Sequence, residues 1–278
     1  MVGIVSNQKQ RDQDSRILKK KSPRLFEYMR RLGYTLILIL AVWFGYSLLG
    51  IKTDWSRMAS LKQMAITISR FFPPNLSFIL TLVRPTIETF MIAVLGTLLA
   101  VILSIPVSFL AARNITPYFP ITYPIGRFIM TISRSVHEIV WGLIFVAALG
   151  LGAFPGIIAI GMRSVGFLSK LTAEEIEHVN IGPIEAMEAT GASKAQVILY
   201  GIIPQIWHLF IGNAIFQWDI NIRRATIIGL VGAGGIGIVF SVQMAMYNYR
   251  NATATIVAIL ILVIIGEYVS NRLRMKVI

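Results

Sequence analysis

The chain has 278 residues, of which 55% are hydrophobic and 14% are charged. A soluble globular domain carries about 45–50% apolar and about 25% charged residues. The composition therefore excludes an ordinary soluble enzyme and a disordered chain, and it favours a polytopic membrane protein. The formal net charge of +13 is typical of a membrane protein whose cytoplasmic loops are rich in Lys and Arg. The sequence contains no cysteine, which excludes disulfides and thiolate metal sites.

The N-terminal part of the chain combines a basic tail with a first apolar run. Residues 1–32 are polar and basic, and we expect a solvated cytoplasmic tail, with lipid or nucleic-acid binding as the minority interpretation. The run 33–51 is free of charge and predicts an uncleaved transmembrane helix. Segment 52–80 is expected outside. Its apolar residues have helical spacing from Met58 to Ile68, which indicates an interfacial amphipathic helix.

Seven apolar runs occur along the chain, and six of them predict transmembrane helices. The fifth run, Ala195 to Trp218, is predicted to be followed by an external stretch that holds Arg223 and Arg224. The run from Ala225 to Tyr249 carries five glycines between Gly229 and Gly237, and each glycine costs up to about 1 kcal/mol in a helix interior. Irregular backbone at membrane depth is tolerated only inside protein or beside a cavity. We therefore predict an all-α polytopic membrane protein with six transmembrane helices and a glycine-rich re-entrant segment.

The basic residues indicate the orientation of these helices. With the N-terminus in the cytoplasm, the inside segments hold twice as many Lys and Arg as the outside segments, as the positive-inside rule requires. We therefore expect both termini in the cytoplasm. The prediction places a membrane core over residues 81–271, a cytoplasmic loop over 172–194, and a basic cytoplasmic C-terminus over 272–278.

Capping patterns predict the structure of the loop over 172–194. Thr172 with Glu175 and Ser193 with Gln196 both fit capping boxes, so helices are expected to start at Thr172 and at Ser193. A shorter helix is expected between these two starts.

That short helix is predicted over Ile184 to Thr190. Pro183 suits its first position, and Gly191 suits a left-handed close. The helix is expected to expose Glu185 and Glu188. It is either a packed linker or a docking surface for a cytoplasmic partner.

Three segments together resemble a known family. Glu185-Ala186-Met187, Gly191 and Pro204 have the spacing of the loop signature of binding-protein-dependent ABC importer permeases, although Met187, Gly201 and Ile203 depart from it. The other two segments are Gly229 to Gly237 and Arg134 to Trp141. Over roughly residues 80–271 the chain resembles the phosphonate/phosphite branch of that family.

The resemblance implies an arrangement and a function. The fold would be that of a type I ABC importer permease in the bacterial cytoplasmic (inner) membrane. Its partners would be a second copy of the permease, two ATP-binding ABC subunits, an external substrate-binding protein and membrane lipid. Nucleic acid would not be a partner. The path would carry phosphonate or a related phosphorus oxyanion such as phosphite, hypophosphite or a phosphate ester. ATP and Mg would be bound by the partner ATPase, so this chain would need no cofactor, metal or catalytic residue. The coupling helix to the ATPase would involve Glu185, Ala186, Met187, Glu188, Gly191 and Pro204.

Ionisable residues inside predicted spans are costly and are functional candidates by default. The third span carries Arg134, His137 and Glu138, and the fourth carries Arg163. Arg134 and Glu138 are four residues apart on one helical face, so they either pair with each other or belong to the path. The planar fork of arginine suits oxyanions because it donates two hydrogen bonds.

A further group precedes and includes the glycine-rich run. Asp219, Arg223 and Arg224 either pair with one another, contact the binding protein or form an external gate. The glycines are expected to line the path or to let helices approach closely. The match to G-x-G-x-x-G is set aside because no preceding strand or βαβ unit is evident. The glycines that we expect at the path are Gly232, Gly234 and Gly235.

Two other transport functions remain open. One is an ABC importer permease for an amino acid such as methionine, against which Arg134 and Arg163 argue weakly. The other is a secondary transporter, against which the loop signature argues. An integral-membrane enzyme would require Ser/His, paired Asp or His-rich motifs inside spans, and the sequence has none. It also has no G-x-x-x-x-G-K-[ST] motif, so the chain is not itself the ATPase.

Overall fold

The computed structural model describes residues 24–50 and 60–277, and every regular element in those ranges is a helix. The chain divides into two compact units, residues 1–65 and 66–278. The first unit contains helix α1, Arg24–Gly50. Its apolar stretch Glu27–Leu48 is 22 residues long, which is enough to cross a membrane.

The first helix begins earlier than predicted. α1 starts at Arg24 rather than at residue 33, so the last part of the expected tail is helical. Glu27, Arg30 and Arg31 have good helix propensity, which extends the helix beyond its apolar stretch. The rest of the predicted tail, residues 1–23, lies outside the described residues.

The helices that follow α1 end in a long C-terminal helix. In chain order they are α2 (Leu61–Ser69), α3 (Leu76–Ile79), a 3₁₀ turn (Leu80–Leu82), α4 (Val83–Ala111), α5 (Phe119–Ser135), α6 (Glu138–Leu149), α7 (Ala153–Glu177), α8 (Ile181–Ala189), α9 (Lys194–Gln196), a π-helix (Val197–Ile202), α10 (Ile203–Gly229), α11 (Ile236–Ala245) and α12 (Tyr249–Val277).

α2 corresponds to the predicted amphipathic helix. The Gln63 N–H donates to Ser60 Oγ at 3.3 Å, and the Ser60 N–H donates to Gln63 Oε1 at 3.2 Å. This capping box explains where the helix starts. No side chain of α2 is buried, as expected for a helix that rests on an interface. Met58, where the predicted pattern starts, lies outside the described residues.

Five described stretches are long and apolar enough to cross a membrane, and α5 with α6 passes the same test only as a pair bent by 90°. The first half of α5 lies near the end of α4, where Arg127 Nε donates to the Ala111 carbonyl at 3.1 Å. α6 ends at the opposite side of the bundle, where the Gly152 N–H donates to the Gly232 carbonyl at 3.1 Å. Counted as one crossing, the bent pair brings the total to the predicted six.

The second unit has two ends, which we name by their loops. The loop end contains residues 112–118 and 178–193, joined where Asn114 Nδ2 donates to the Ile176 carbonyl at 2.6 Å. The glycine end contains residues 150–152 and 230–235. α10 ends at the glycine end, and α12 starts there.

α11 does not cross the bundle. At its start, the Ile236 N–H donates to Thr89 Oγ1 on α4 at 2.8 Å. At its far end, Asn251 Nδ2 on α12 donates to Gln243 Oε1 at 3.2 Å. Both ends of the segment therefore lie on the same side of the bundle, as expected of a re-entrant segment.

α4 and α7 pack against each other through the centre of the second unit. A Cβ at Gly96 of α4 would lie 2.9 Å from Cγ2 of Ile160 on α7, so the absence of a side chain there permits the close approach. Small residues are typical of helix contacts in membranes, where lipid gives no hydrophobic driving force. The fully buried core at this contact consists of Ile92, Ala93, Ala159 and Ile160, with Ile228 of α10 beside them.

Two further predicted helix boundaries are wrong. α7 continues through Thr172, which is buried within it, and ends at Glu177. The T-x-x-E pattern therefore lies inside a helix, because no helix-breaking residue precedes it. α10 likewise continues beyond Trp218 to Gly229, so the expected external stretch that holds Arg223 and Arg224 is part of a helix.

Candidate functional site

A buried carboxylate lies between arginines from two helices and beside a histidine. Glu138 is the first residue of α6 and is buried. Its Oε2 lies 3.6 Å from Arg163 Nε on α7, and its Oε1 lies 3.5 Å from Arg224 Nε on α10. His137 Nε2 lies 3.7 Å from Oε1. We refer to these four residues as the Glu138 cluster.

The bend between α5 and α6 positions Glu138. Ser133 near the end of α5 donates to the Met162 carbonyl of α7 and accepts a hydrogen bond from the Gly166 N–H at 2.9 Å. α5 is thereby fixed against α7, while Val136 and His137 have extended backbone. α6 then starts in a new direction with Glu138 in its first turn, where the helix dipole favours a negative charge.

The cluster carries more positive than negative charge. Glu138 faces two guanidinium groups, Arg163 and Arg224, whose side chains are 21% and 18% exposed. Both nitrogen–oxygen distances exceed the usual 2.7–3.2 Å of an N–H···O hydrogen bond. Within the described residues the Glu138 carboxylate accepts no hydrogen bond, and the buried Arg163 Nε has no hydrogen-bond partner. Both arginines are therefore attracted to Glu138 by charge and form no hydrogen bond with it.

A fully buried polar network adjoins Arg224. Asn221 Nδ2 donates to Thr97 Oγ1 at 2.9 Å, and Gln217 Nε2 donates to Ser164 Oγ at 2.9 Å. Arg224 Nη1 approaches Asn221 Oδ1 at 3.4 Å. This network was not predicted from the sequence. Its signal was the spacing of Gln217 and Asn221, two amides four residues apart in an apolar helix.

Asp219, Arg223 and Arg224 separate into two groups. Arg223 forms an ion pair with Asp219, and its Nη1 lies 4.0 Å from Glu267 Oε2 on α12. The pairing that was one of the predicted alternatives is therefore present for Asp219 and Arg223. Arg224 instead faces Glu138, because adjacent residues on a helix point in different directions.

The alternative pairing of Arg134 with Glu138 is wrong. The helix breaks after Ser135, so the two residues do not share a helical face. Arg134 is exposed and forms no ion pair within residues 60–277. His137 is 61% exposed, so the Glu138 cluster reaches the surface of this chain at His137. A role in the path stays a prediction for Arg134 and His137.

The predicted path glycines form the tight turn after α10. Gly232, Gly234 and Gly235 all have positive φ angles, of 92°, 87° and 73°. A Cβ at Gly234 would lie 2.8 Å from Ala153 Cα. This arrangement supports the predicted close approach, while a role in lining the path stays a prediction.

The short helix at the loop end is α8. It starts at Ile181 rather than at Pro183, because Asn180 caps it by accepting a hydrogen bond from the Gly182 N–H at 3.1 Å. Glu185, Ala186 and Glu188 are exposed, as predicted for the two glutamates, and Met187 is half-buried.

The turn after α8 and the start of the next helix are confirmed. Gly191 has a φ angle of 80°, which is the expected left-handed close. Ser193 and Gln196 form the expected capping box. Pro204 lies at the start of α10, directly after the π-helix.

Gln205 connects α8 to α10. Its Nε2 donates to the Gly201 carbonyl at 2.7 Å, and its Oε1 accepts a hydrogen bond from the Asn180 N–H at 2.9 Å. One side chain therefore ties the cap of α8 to the π-helix. Because the partners are 25 residues apart, no local pattern could have identified this contact.

A second carboxylate–arginine cluster lies at the loop end. Glu177 Oε1 accepts hydrogen bonds from Arg127 Nη2 at 2.8 Å and from the Arg113 N–H at 3.0 Å. Arg113 Nε donates to the Tyr123 hydroxyl at 2.9 Å, and this hydrogen bond raises the pKa of Arg113 above its ordinary value. We refer to these four residues as the Glu177 cluster.

The chain is similar to characterised transport components. A family described as "Binding-protein-dependent transport system inner membrane component" matches residues 104–274. The chain is 37% identical over 251 residues to the phosphite transport system permease protein PtxC of Stutzerimonas stutzeri, covering 89% of this chain and 90% of the relative. It is 38% identical over 199 residues to the phosphate-import permease protein PhnE of Mycolicibacterium smegmatis, covering 72% of this chain and 37% of that relative.

The fold is likewise found among solved structures. An inward-facing structure of the MetNI methionine ABC transporter matches with a TM-score of 0.63 at 20% identity, covering 73% of this chain and 99% of the matched chain. At this identity the likeness shows the type I ABC importer permease fold alone.

The chain therefore belongs to the family of permease subunits of binding-protein-dependent ABC importers. It is a transport component of the bacterial inner membrane and not an enzyme. Permeases of this kind work with ATPase subunits, which use the ATP, and with a substrate-binding protein.

Proposed function

We propose that this chain, as a member of that family, forms a membrane path for a phosphorus oxyanion together with a second copy of itself. The candidate substrates are phosphite, a phosphonate, hypophosphite and a phosphate ester. Support comes from the relatives, which are named for phosphite and phosphate import. An external binding protein would deliver the anion, and hydrolysis of ATP on the partner subunits would drive its import.

The observation that carries this proposal is the surplus of positive charge in the Glu138 cluster. Two arginines share one buried carboxylate. Charged groups at membrane depth are costly and mark pathways. Guanidinium groups bind tetrahedral oxyanions through paired hydrogen bonds. A zwitterionic amino acid such as methionine carries no net charge and gives no comparable reason for a cationic cluster.

We further propose that the loop end faces the cytoplasm and that α8 is the coupling helix of the ATPase. α12 ends on the side of the loop end, where Arg272, Arg274 and Lys276 satisfy the positive-inside rule. Both termini would then be cytoplasmic, and segment 52–80 with α2 would lie on the external surface. A short helix fixed between packed spans transmits a rigid-body movement, because packed elements switch between discrete arrangements.

The test is reconstitution of the importer in proteoliposomes. The permease would be combined with its ATPase subunits and binding protein, and both ATP hydrolysis and uptake measured. The assay would compare phosphite, methylphosphonate, hypophosphite, phosphate and methionine. We expect one phosphorus oxyanion to stimulate hydrolysis and to accumulate inside.

Other outcomes would replace the proposal. Stimulation by methionine alone would assign the chain to amino-acid import. Uptake that continues without ATPase subunits would assign it to secondary transport.

A further inference from the structure

We propose that Glu138 is a built-in substitute for the transported anion. In the empty permease it holds Arg163 and Arg224. When the phosphorus oxyanion binds, both arginines contact the anion instead of Glu138. When the anion leaves, they contact Glu138 again. This inference rests on the proposed function and adds the means by which the same site keeps its affinity low.

The geometry of the cluster fits an exchangeable contact. Each carboxylate oxygen of Glu138 faces one arginine, Oε2 towards Arg163 and Oε1 towards Arg224. A phosphorus oxyanion offers the same arrangement, with separate oxygens for separate guanidinium groups. The distances of 3.5 and 3.6 Å mean that no direct hydrogen bond has to break before an anion enters.

The arginines keep donors for a second ligand. A guanidinium group has five N–H donors. The Arg163 Nε is buried and has no hydrogen-bond partner among the described residues. Arg224 has one distant hydrogen bond, to Asn221 at 3.4 Å. The unused donors can therefore bind oxyanion oxygens.

The empty site needs its own negative charge. Two half-buried cations side by side repel each other, and a charge that is taken out of water without a partner is destabilising. Glu138 removes this cost while no substrate is present. It also competes with the substrate for the same donors, and a transport site must hold its ion loosely enough to release it.

The backbone around Glu138 allows the exchange. Val136 and His137 are extended between α5 and α6, so the start of α6 can turn there. α5 stays fixed because Ser133 is hydrogen-bonded to α7. The exposed side of His137 gives an anion a route to the cluster.

The test is direct binding of anion to the whole complex. The permease with its ATPase subunits would be placed in nanodiscs without binding protein or nucleotide. Binding of radiolabelled phosphate would then be measured, with phosphite, methylphosphonate and sulfate as competitors. In Glu138→Gln both arginines lose their competitor, so we expect anion affinity to rise at least about tenfold. Uptake through the complete importer should slow, because release becomes difficult.

Further variants separate this exchange from structural damage. Glu138→Asp keeps the carboxylate and should retain the weak binding of the wild type. The double variants Glu138→Gln with Arg163→Gln, and Glu138→Gln with Arg224→Gln, should lose the gained affinity. Glu177→Gln removes a carboxylate from an arginine at the loop end and should leave binding near the wild-type level.

The results decide between the inference and its premise. Unchanged anion binding in a well-assembled Glu138→Gln complex would overturn the exchange, as would an equal gain in Glu177→Gln. If no phosphorus oxyanion stimulates ATP hydrolysis or uptake by the wild-type importer in proteoliposomes, the proposed function is overturned instead.

Discussion

The Glu138 cluster and the loop end both contain a carboxylate beside arginines, but they hold it in different ways. At the loop end Glu177 accepts hydrogen bonds of 2.8 and 3.0 Å from Arg127 and Arg113. Inside the bundle Glu138 is more deeply buried, yet Arg224 and Arg163 stay at 3.5 and 3.6 Å from its carboxylate oxygens. The group that would gain most from hydrogen bonds therefore has none from the described residues.

This difference separates a structural contact from an exchangeable one. Hydrogen bonds to charged groups contribute about 1.5–3 kcal/mol each, so Glu177 fixes the end of α7 against the loop after α4. Glu138 gains Coulomb attraction without those hydrogen bonds, and its arginines keep free donors. The loop end is thus built to move as a unit, while the Glu138 cluster is built to change partners.

Replacing Arg163 or Arg224 by Gln has the largest expected effect. Either change leaves Glu138 with a single guanidinium group and removes the surplus positive charge. We expect uptake to fall at least about tenfold, which corresponds to about 1.4 kcal/mol of lost anion stabilisation. The measurement is the initial rate of oxyanion uptake per assembled complex in proteoliposomes.

Arg134→Gln is the matched comparison for these variants. Arg134 is exposed and lies outside the Glu138 cluster, so its loss should lower uptake by only about twofold. Wild-type uptake in both Arg163→Gln and Arg224→Gln would remove the cluster from the path.

A change at Gly191 tests the loop end, and its expected effect on transport is intermediate in size. Its φ angle of 80° disfavours a side chain by roughly 1–2 kcal/mol. We expect Gly191→Val to displace the end of α8 and to lower the uptake per ATP hydrolysed by about threefold. The size of this effect follows from the strain energy, because about 1.4 kcal/mol corresponds to a factor of ten. The measurement is the ratio of the two rates in one preparation.

Gly150 provides the control for backbone strain. It also has a positive φ angle, of 89°, and open space where a Cβ would stand, but it lies at the glycine end. Gly150→Val should leave the ratio of uptake to hydrolysis unchanged. An equal loss in both variants would mean that strain alone, and not the position of α8, causes the defect.

Glu177→Gln should have the smallest effect on transport. The change weakens its hydrogen bonds with Arg127 and Arg113, so we expect the free energy of unfolding to fall by about 1–3 kcal/mol. Thermal unfolding of the detergent-solubilised complex measures this loss. Uptake per folded complex should stay at the wild-type level, and a large fall in uptake would erase the distinction between the two clusters.

The features predicted correctly depend on local signals. Gly191 and the Ser193–Gln196 box could be identified because a left-handed close and a capping box are set by residues within one turn. The apolar runs likewise predicted the crossings, because every backbone group in lipid must be paired within a helix.

Two of the errors have tertiary causes. The helix breaks at Val136, where neither proline nor glycine stands, and the fixed position of α5 on α7 provides the cause. Arg224 was expected outside because a charge in an apolar run usually ends a span. Glu138 compensates that charge from a residue 86 positions away, and such a partner has no local signature.

The π-helix at Val197–Ile202 lies between α9 and α10 in one continuous helix. It sets the angle around the helix axis between side chains before it and side chains after it. Each residue of an α-helix turns the side chains by about 100° around the axis, and a π turn holds roughly one residue more than an α turn. That additional residue decides which face of α10 carries Asn221 and Arg224 relative to Lys194. If this segment were a regular α-helix with the same number of residues, the guanidinium group of Arg224 would be rotated away from Glu138.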